Sequence, residues 1–127
     1  MSLHCPKCSS PMEPVEFSNV TVDRCLACEG IWFDGVAHRD LKKIRGAEAI
    51  DTGSVELGRE HDKMVGVNCP VCGAVMEVRP DLYQPHIHYD VCPQAHGVYF
   101  DAGEFRDFVK EDITDFIKSM LIRNPKS

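Results

Sequence analysis

Six of the seven cysteines in this 127-residue chain fall into C-x2-C pairs, and that spacing is its clearest chemical signal. Cys5 and Cys8 form one pair, Cys25 and Cys28 a second, Cys69 and Cys72 a third. Cys92 stands alone in "CPQAHGVYFD", where an earlier run reads "CLACEGIWFD". A C-x2-C turn sets two sulfurs on one side of a tight loop. Two such turns brought together offer the tetrahedral thiolate set that a d¹⁰ zinc ion accepts. The amino terminus, "MSLHCPKC", has no apolar signal segment, so paired spacing here points to metal ligation rather than to disulfides. Cys5, Cys8, Cys25 and Cys28 make up a first site. Cys69, Cys72 and Cys92 make up three quarters of a second, and its fourth ligand must come from another residue type. His96 is favoured: it lies one residue beyond the usual position, and an imidazole reaches further from its backbone than a thiol does. His86, His88, His61 and a water in an open site stay as alternatives. The expectation is two zinc ions per chain.

The elements that must position these ligands repeat. Residues 5 to 45 align with 69 to 110: "CPKCSSPME" lies over "CPVCGAVME" at an offset of 64 residues, and "DRCLACEGIWFD" over "DVCPQAHGVYFD" at 67. Three extra residues therefore fall near "PDLYQPHIHY". Each unit reads as knuckle, hairpin-like strands, knuckle, short strand and helix. Trp32 and Tyr99 occupy equivalent places and read as packing residues, His86 and His88 as a solvated face, and His4 and His38 as lacking ligand-like company. The first helix is expected from about Asp34 to Arg45. The second starts with a capping-box-like Asp101 and Glu104 and carries Phe105, Phe108, Val109, Ile113, Phe116, Ile117, Met120 and Leu121 at helical spacing. That apolar stripe suits the chain's own core, or a homodimer through the carboxyl-terminal helix. The expected fold is a small metal-bound α+β protein of two zinc ribbons, each followed by a helix, the last one long. Its divisions are 1–45 for ribbon 1 with its short helix, 46–68 for an acidic linker, and 69–127 for ribbon 2 with the long amphipathic helix.

A unit of about 40 residues seldom folds on apolar burial alone, whereas a structural zinc contributes on the order of 10 kcal/mol. The metals are therefore read as structural, no residue is assigned a catalytic role, and the chain is expected not to be an enzyme. An open second site with Glu77, Asp90 or Asp101 as general base is the opposing reading. The formal charge is −6, and zinc-bound thiolates make it more negative, the wrong sign for phosphate neutralisation. A protein partner is thus favoured. Nucleic-acid contact in transcription regulation would run through the one basic cluster, Arg39, Lys42, Lys43 and Arg45. Iron in a rubredoxin-like electron-transfer site is the remote alternative, since four thiolates also bind iron. No apolar run is long enough to span a membrane, and a cytoplasmic location is expected.

These motifs resemble the transcription-factor-IIB-type zinc finger family, small zinc ribbons common in bacterial proteins. The family pattern is C-P-x-C, then C-x-x-C-x-G-x-W-x-D, then a Gly-Glu-Leu-like helix start. Ribbon 1 follows it through Asp34 and has Val36-Ala37 in place of Gly-Glu. Ribbon 2 keeps Gly103-Glu104-Phe105 but has Ala95 for the last cysteine and Tyr99 for the tryptophan. The resemblance implies zinc binding, while the name of the family does not itself assign DNA binding.

Overall fold

The computed structural model describes residues 3–109. Strands β1 (Met12–Phe17), β2 (Val20–Cys25) and β3 (Ile31–Asp34) precede helix α1 (Ala37–Lys42), a 3₁₀ turn (Ala47–Ile50) and helix α2 (Val55–Asp62). Strands β4 (Glu77–Pro80), β5 (His88–Val91) and β6 (Gly97–Phe100) follow. Residues 104–109, α3, are helical up to the last described residue.

The six strands form one antiparallel sheet in the order β1-β2-β3-β6-β5-β4. Each ribbon gives three strands, and the third strands of the two ribbons join at the centre. There Trp32 pairs with Tyr99, Ile31 with Phe100 and Phe33 with Val98. Trp32 and Tyr99 are also equivalent residues of the repeat, so a local two-fold axis passes through that pair. The outer pairings obey it: Arg24 opposite Ile31 is matched by Val91 opposite Val98, and Glu13 opposite Arg24 by Glu77 opposite Val91.

This central position explains why "IWF" and "GVYF" are apolar without alternation: both of their faces are covered. On one face Ile31, Phe33, Val98 and Phe100 pack with Val22, Leu41, Phe105 and Phe108 under the helices. On the other, Trp32 and Tyr99 pack with Met12, Met76 and the buried cysteines of both ribbons.

Helix α1 is shorter than the expected Asp34–Arg45. Asp34 ends β3, Gly35 turns the chain at φ 54°, and the helix gives way after Lys42. Residues 46–68, read as a linker, are largely ordered. Ser54 accepts the Leu57 amide at the start of α2, and Leu57 packs against the cysteine-rich cluster. The start of α3 is held from this segment too. The Asp51 carboxylate accepts the amides of Gly103 at 3.0 Å and Arg106 at 2.9 Å. Asp101, expected to cap that helix, instead accepts Lys7 Nζ at 2.8 Å. Residues 110–127, on which the long carboxyl-terminal helix and its dimer reading rest, lie outside the described residues.

His38 is buried within an aromatic group of Phe33, Tyr89, Phe100 and Phe108, and its Nδ1 has no hydrogen-bond partner. Burial, helped by the nearby Arg39 charge, lowers its pKa from 6.5 to about 4. The unfolded chain therefore takes up this proton first. The stability tied to neutral His38 is complete above about pH 6.5 and is lost as pH falls through about 4. The shift is worth about 3 kcal/mol. His38→Phe is expected to flatten the pH dependence of the urea midpoint between pH 6.5 and 5 relative to the parent, both saturated with zinc. An unchanged slope would remove His38 from the acid response.

Candidate metal centres

Each ribbon builds its first knuckle in the same way. In ribbon 1 the Cys5 amide donates to Ser10 O at 2.8 Å and the Ser9 amide to Cys5 O at 2.9 Å, with Ser9 left-handed at φ 66°. In ribbon 2 the Cys69 amide donates to Ala74 O at 2.8 Å and the Gly73 amide to Cys69 O at 2.9 Å, with Gly73 at φ 78°. The loop turns amides inward: Lys7 N and Val71 N each lie 3.4 Å from the sulfur two residues earlier. Such donors favour thiolates over thiols.

The second knuckles differ by one residue. In "CLACEG" the left-handed residue is Glu29 (φ 64°), after Cys28; in "CPQAHG" it is Ala95 (φ 64°), before His96. The turn closes one residue earlier, with the Ala95 amide on Cys92 O at 3.0 Å against the Glu29 amide on Cys25 O at 3.2 Å. His96 is left as the last residue before Gly97, and its Nδ1 lies 3.5 Å from Cys92 Sγ.

The donors converge as two groups, Cys5, Cys8, Cys25, Cys28 and Cys69, Cys72, Cys92, His96. Within each, all ligand atoms lie inside 4.8 Å of one another. Sulfur separations are 3.6 Å for Cys5 and Cys28, 3.3 Å for Cys8 and Cys25, and 3.6 Å for Cys72 and Cys92. A zinc–sulfur bond of about 2.3 Å in a regular tetrahedron sets sulfurs about 3.8 Å apart, close to these values. A disulfide would need about 2.05 Å, and all seven cysteines are free.

The electrostatics also ask for a cation. The hydrogen bond with Cys28 holds Cys5 down at about 4, and the same contact, with burial, pushes the Cys28 thiol far up. Burial raises Cys69 to about 11. Sulfurs gathered this closely and largely buried do not ionise together unless a positive ion joins them. Two Cys-rich sites of this geometry support two zinc ions, and zinc supplies a fixed tetrahedral link between the two knuckles of each ribbon.

The two sites differ in enclosure. At site 1 Cys5, Cys25 and Cys28 are buried, whereas at site 2 Cys72 is exposed and His96 half-buried. Site 1 is also covered from the other ribbon. The Tyr99 hydroxyl lies 3.1 Å from Cys5 Sγ and 3.3 Å from Cys28 Sγ. Burial and the adjacent sulfurs raise the phenol strongly, so it stays protonated and donates. Gly30 leaves room for it, since a Cβ there would collide with the hydroxyl. The two-fold repeats the arrangement with Trp32 against Gly97, but its Nε1 donates to Asp34 Oδ1 at 2.9 Å.

A second link between the ribbons starts inside the first knuckle. Lys7 is buried, and its Nζ reaches Asp101 Oδ2 at 2.8 Å, Asp90 Oδ2 at 3.2 Å and His61 O at 2.9 Å. The lysine in "CPKC", where the repeat has Val71, was the only sequence signal of it. Asp90 and Asp101 therefore hold a cation from ribbon 1, and Glu77 pairs with Arg79 on the exposed strand β4.

His86 and His88 are exposed, and His61 directs Nδ1 to Leu57 O at 2.9 Å. Of the basic cluster, Arg39 pairs with the buried Asp81 at 3.0 Å and Lys42 Nζ stands 4.0 Å from the Phe108 ring centroid. Lys43 and Arg45 are exposed. No helix among the described residues is long and apolar enough to cross a membrane.

Residues 4–44 match the family model of transcription factor zinc-fingers, the TFIIB-type zinc ribbon. The match covers ribbon 1 and ends at α1. No curated protein and no solved structure matches the chain.

Proposed function

We propose that the chain is a non-catalytic module held by two zinc ions, working in a reducing compartment such as the cytoplasm by binding another macromolecule, in first place a protein. Cys5, Cys8, Cys25 and Cys28 hold one ion; Cys69, Cys72, Cys92 and His96 hold the other. The observation that carries this reading is that each cluster has four donors of its own, with the Tyr99 hydroxyl laid across the first. A filled tetrahedron leaves no position for substrate or activated water. The acidic charge, −6 with a pI near 5.4, favours a protein over a polyphosphate partner.

Elemental analysis is expected to find two zinc ions in a colourless protein; a coloured, iron-bearing protein would instead support the rubredoxin-like alternative. His96→Ala is expected to lower the content toward one, and a stoichiometry unchanged at two would place the fourth ligand elsewhere. Affinity capture from the source cells should retain a protein partner with zinc present and lose it with chelator. Capture that ignores the chelator would count against the module.

Nucleic-acid binding is the second reading, favoured by one observation. Tyr83, 76% exposed, stands with Arg39, Lys42 and Lys43 around a hollow of about 320 Å³. An aromatic plate among cations is how single strands are held. Binding to single-stranded DNA or RNA that weakens with salt would support it, and no shift at low salt would remove it.

A further inference from the structure

The two metal centres are built from equivalent parts with unequal access. Cys8 and Cys25 in site 1 correspond to Cys72 and Cys92 in site 2, at offsets of 64 and 67 residues. Each pair joins a first knuckle to a second, with sulfurs 3.3 Å apart in ribbon 1 and 3.6 Å apart in ribbon 2. Cys8 is half-buried and packs against the cysteine-rich cluster, as Leu57 of α2 does. Cys72 is the one exposed cysteine of the seven. The covering groups differ too. Tyr99 sets its hydroxyl on Cys5 and Cys28, whereas its two-fold mate Trp32 donates to Asp34 and has no hydroxyl to offer site 2.

We infer that Cys72 is a modification site for hydroperoxides, with Cys92 as the thiol that closes a disulfide upon it, and that site 2 thereby gives up its metal under oxidant. The inference rests on the assignment of Cys69, Cys72, Cys92 and His96 to the second zinc. Cysteines that hold zinc are thiolates, the form that attacks peroxide. The Cys72 sulfur takes one peroxide oxygen as hydroxyl, the O–O bond breaks, and the hydroxide or alkoxide that leaves is protonated by solvent. Cys72 is then a sulfenic acid. The Cys92 thiolate, 3.6 Å away, attacks that sulfur, forms the S–S bond and displaces hydroxide, which also takes a solvent proton. For hydrogen peroxide, two thiolates, one peroxide and two protons become one disulfide and two waters. The sulfurs lose two electrons and the peroxide gains them. Cys69 and His96 are left as donors, too few to complete a zinc tetrahedron.

Two effects compete in choosing the site. Site 1 has a fourth thiolate, and that extra negative charge favours attack on peroxide there. Against it, Cys5, Cys25 and Cys28 are buried, and Cys5 and Cys28 share the Tyr99 hydroxyl, which draws off nucleophilic density. The half-buried Cys8 is the one approach left. Attack needs the peroxide oxygen in contact with sulfur, so an enclosed thiolate stays inert however negative it is. Access therefore decides for Cys72.

The test treats the full two-zinc chain with one molar equivalent of hydrogen peroxide. Remaining thiols are blocked with N-ethylmaleimide in denaturant, disulfides are mapped by mass spectrometry, and a zinc-sensitive dye reads the freed ion. The main product is expected to be a disulfide between Cys72 and Cys92, formed in step with zinc release, with Cys5, Cys8, Cys25 and Cys28 still alkylated. Dithiothreitol and added zinc should restore two ions per chain. Cys72→His, which keeps four donors, should slow peroxide-driven release at least about tenfold while carrying two zinc ions. Four outcomes would overturn the inference: a disulfide between Cys8 and Cys25 in equal or greater amount, pairing of Cys72 with Cys69, a Cys72 that stays reduced, or a two-zinc Cys72→His protein that releases metal at the parent's rate. Where that variant holds fewer than two ions, the disulfide map of the parent decides. A parent protein short of two zinc ions before any peroxide is added would reject the second metal centre itself.

Discussion

Removing both metals with a chelator is expected to abolish the whole six-stranded sheet in a single transition, not to release one ribbon and spare the other. A structural zinc contributes on the order of 10 kcal/mol, comparable to the entire stability of an ordinary domain. Here the two sites share one buried cluster, in which Trp32 and Tyr99 lie among the cysteines of both ribbons. The central pairing of β3 with β6 gives each hairpin the other as its neighbour. Trp32, the only tryptophan and fully buried, reports on that cluster. Its emission should shift to the red as zinc is withdrawn, together with loss of the far-ultraviolet strand signal. A stable half-stripped species with Trp32 still shielded would show that the ribbons fold independently.

Lys7→Met should be the costliest substitution outside the metal ligands. Its ammonium lies between two carboxylates of the other ribbon, with side-chain exposures of only 1% for Lys7, 3% for Asp90 and 4% for Asp101. Burial opposes the lysine charge, but Asp101 and Asp90 together raise its pKa above the usual value. Removing one partner from a buried ionic group typically costs about 3–5 kcal/mol, because the opposite charge must then be buried without it. The measurement is the urea midpoint of zinc-saturated protein. Adding Asp90→Asn and Asp101→Asn to Lys7→Met should recover part of the loss. Val71→Ala, at the exposed counterpart position, should change it by less than about 1 kcal/mol. A Lys7→Met cost that small would make the triad incidental.

Local chemistry was legible in the sequence, and long-range chemistry was not. The C-x2-C spacing and the 64- and 67-residue offsets pointed to two four-residue groups, and those eight side chains converge in the structure. Spacing works at this scale because a knuckle is a closed turn whose geometry depends on its own few residues. What a strand meets across the sheet depends instead on register. No motif indicates that Trp32 pairs with Tyr99, that the Tyr99 hydroxyl reaches Cys5, or that Lys7 is drawn to Asp90 and Asp101. His38 shows the same limit: on α1 alone it has no obvious company, and only the packing of β3, β5, β6 and α3 encloses it. The Asp51 cap on α3 lies 52 residues from Gly103, beyond any local capping pattern. The extra charge at Asp101 resembled a local cap and served a distant cation.

The covering of site 1 by Tyr99 sets an order of events during synthesis. All four sulfurs of site 1 belong to the first 28 residues, whereas the phenol over them and the acids that hold Lys7 come from Asp90, Tyr99 and Asp101. A chain growing from its amino terminus completes the first thiolate set more than 60 residues before its cover exists. In that interval Cys5 and Cys28 lack the phenol that covers them in the finished protein, and uncovered thiolates are open to oxidants and competing ions. The hazard belongs to the ribosome-bound chain, and early capture of the first zinc shortens it.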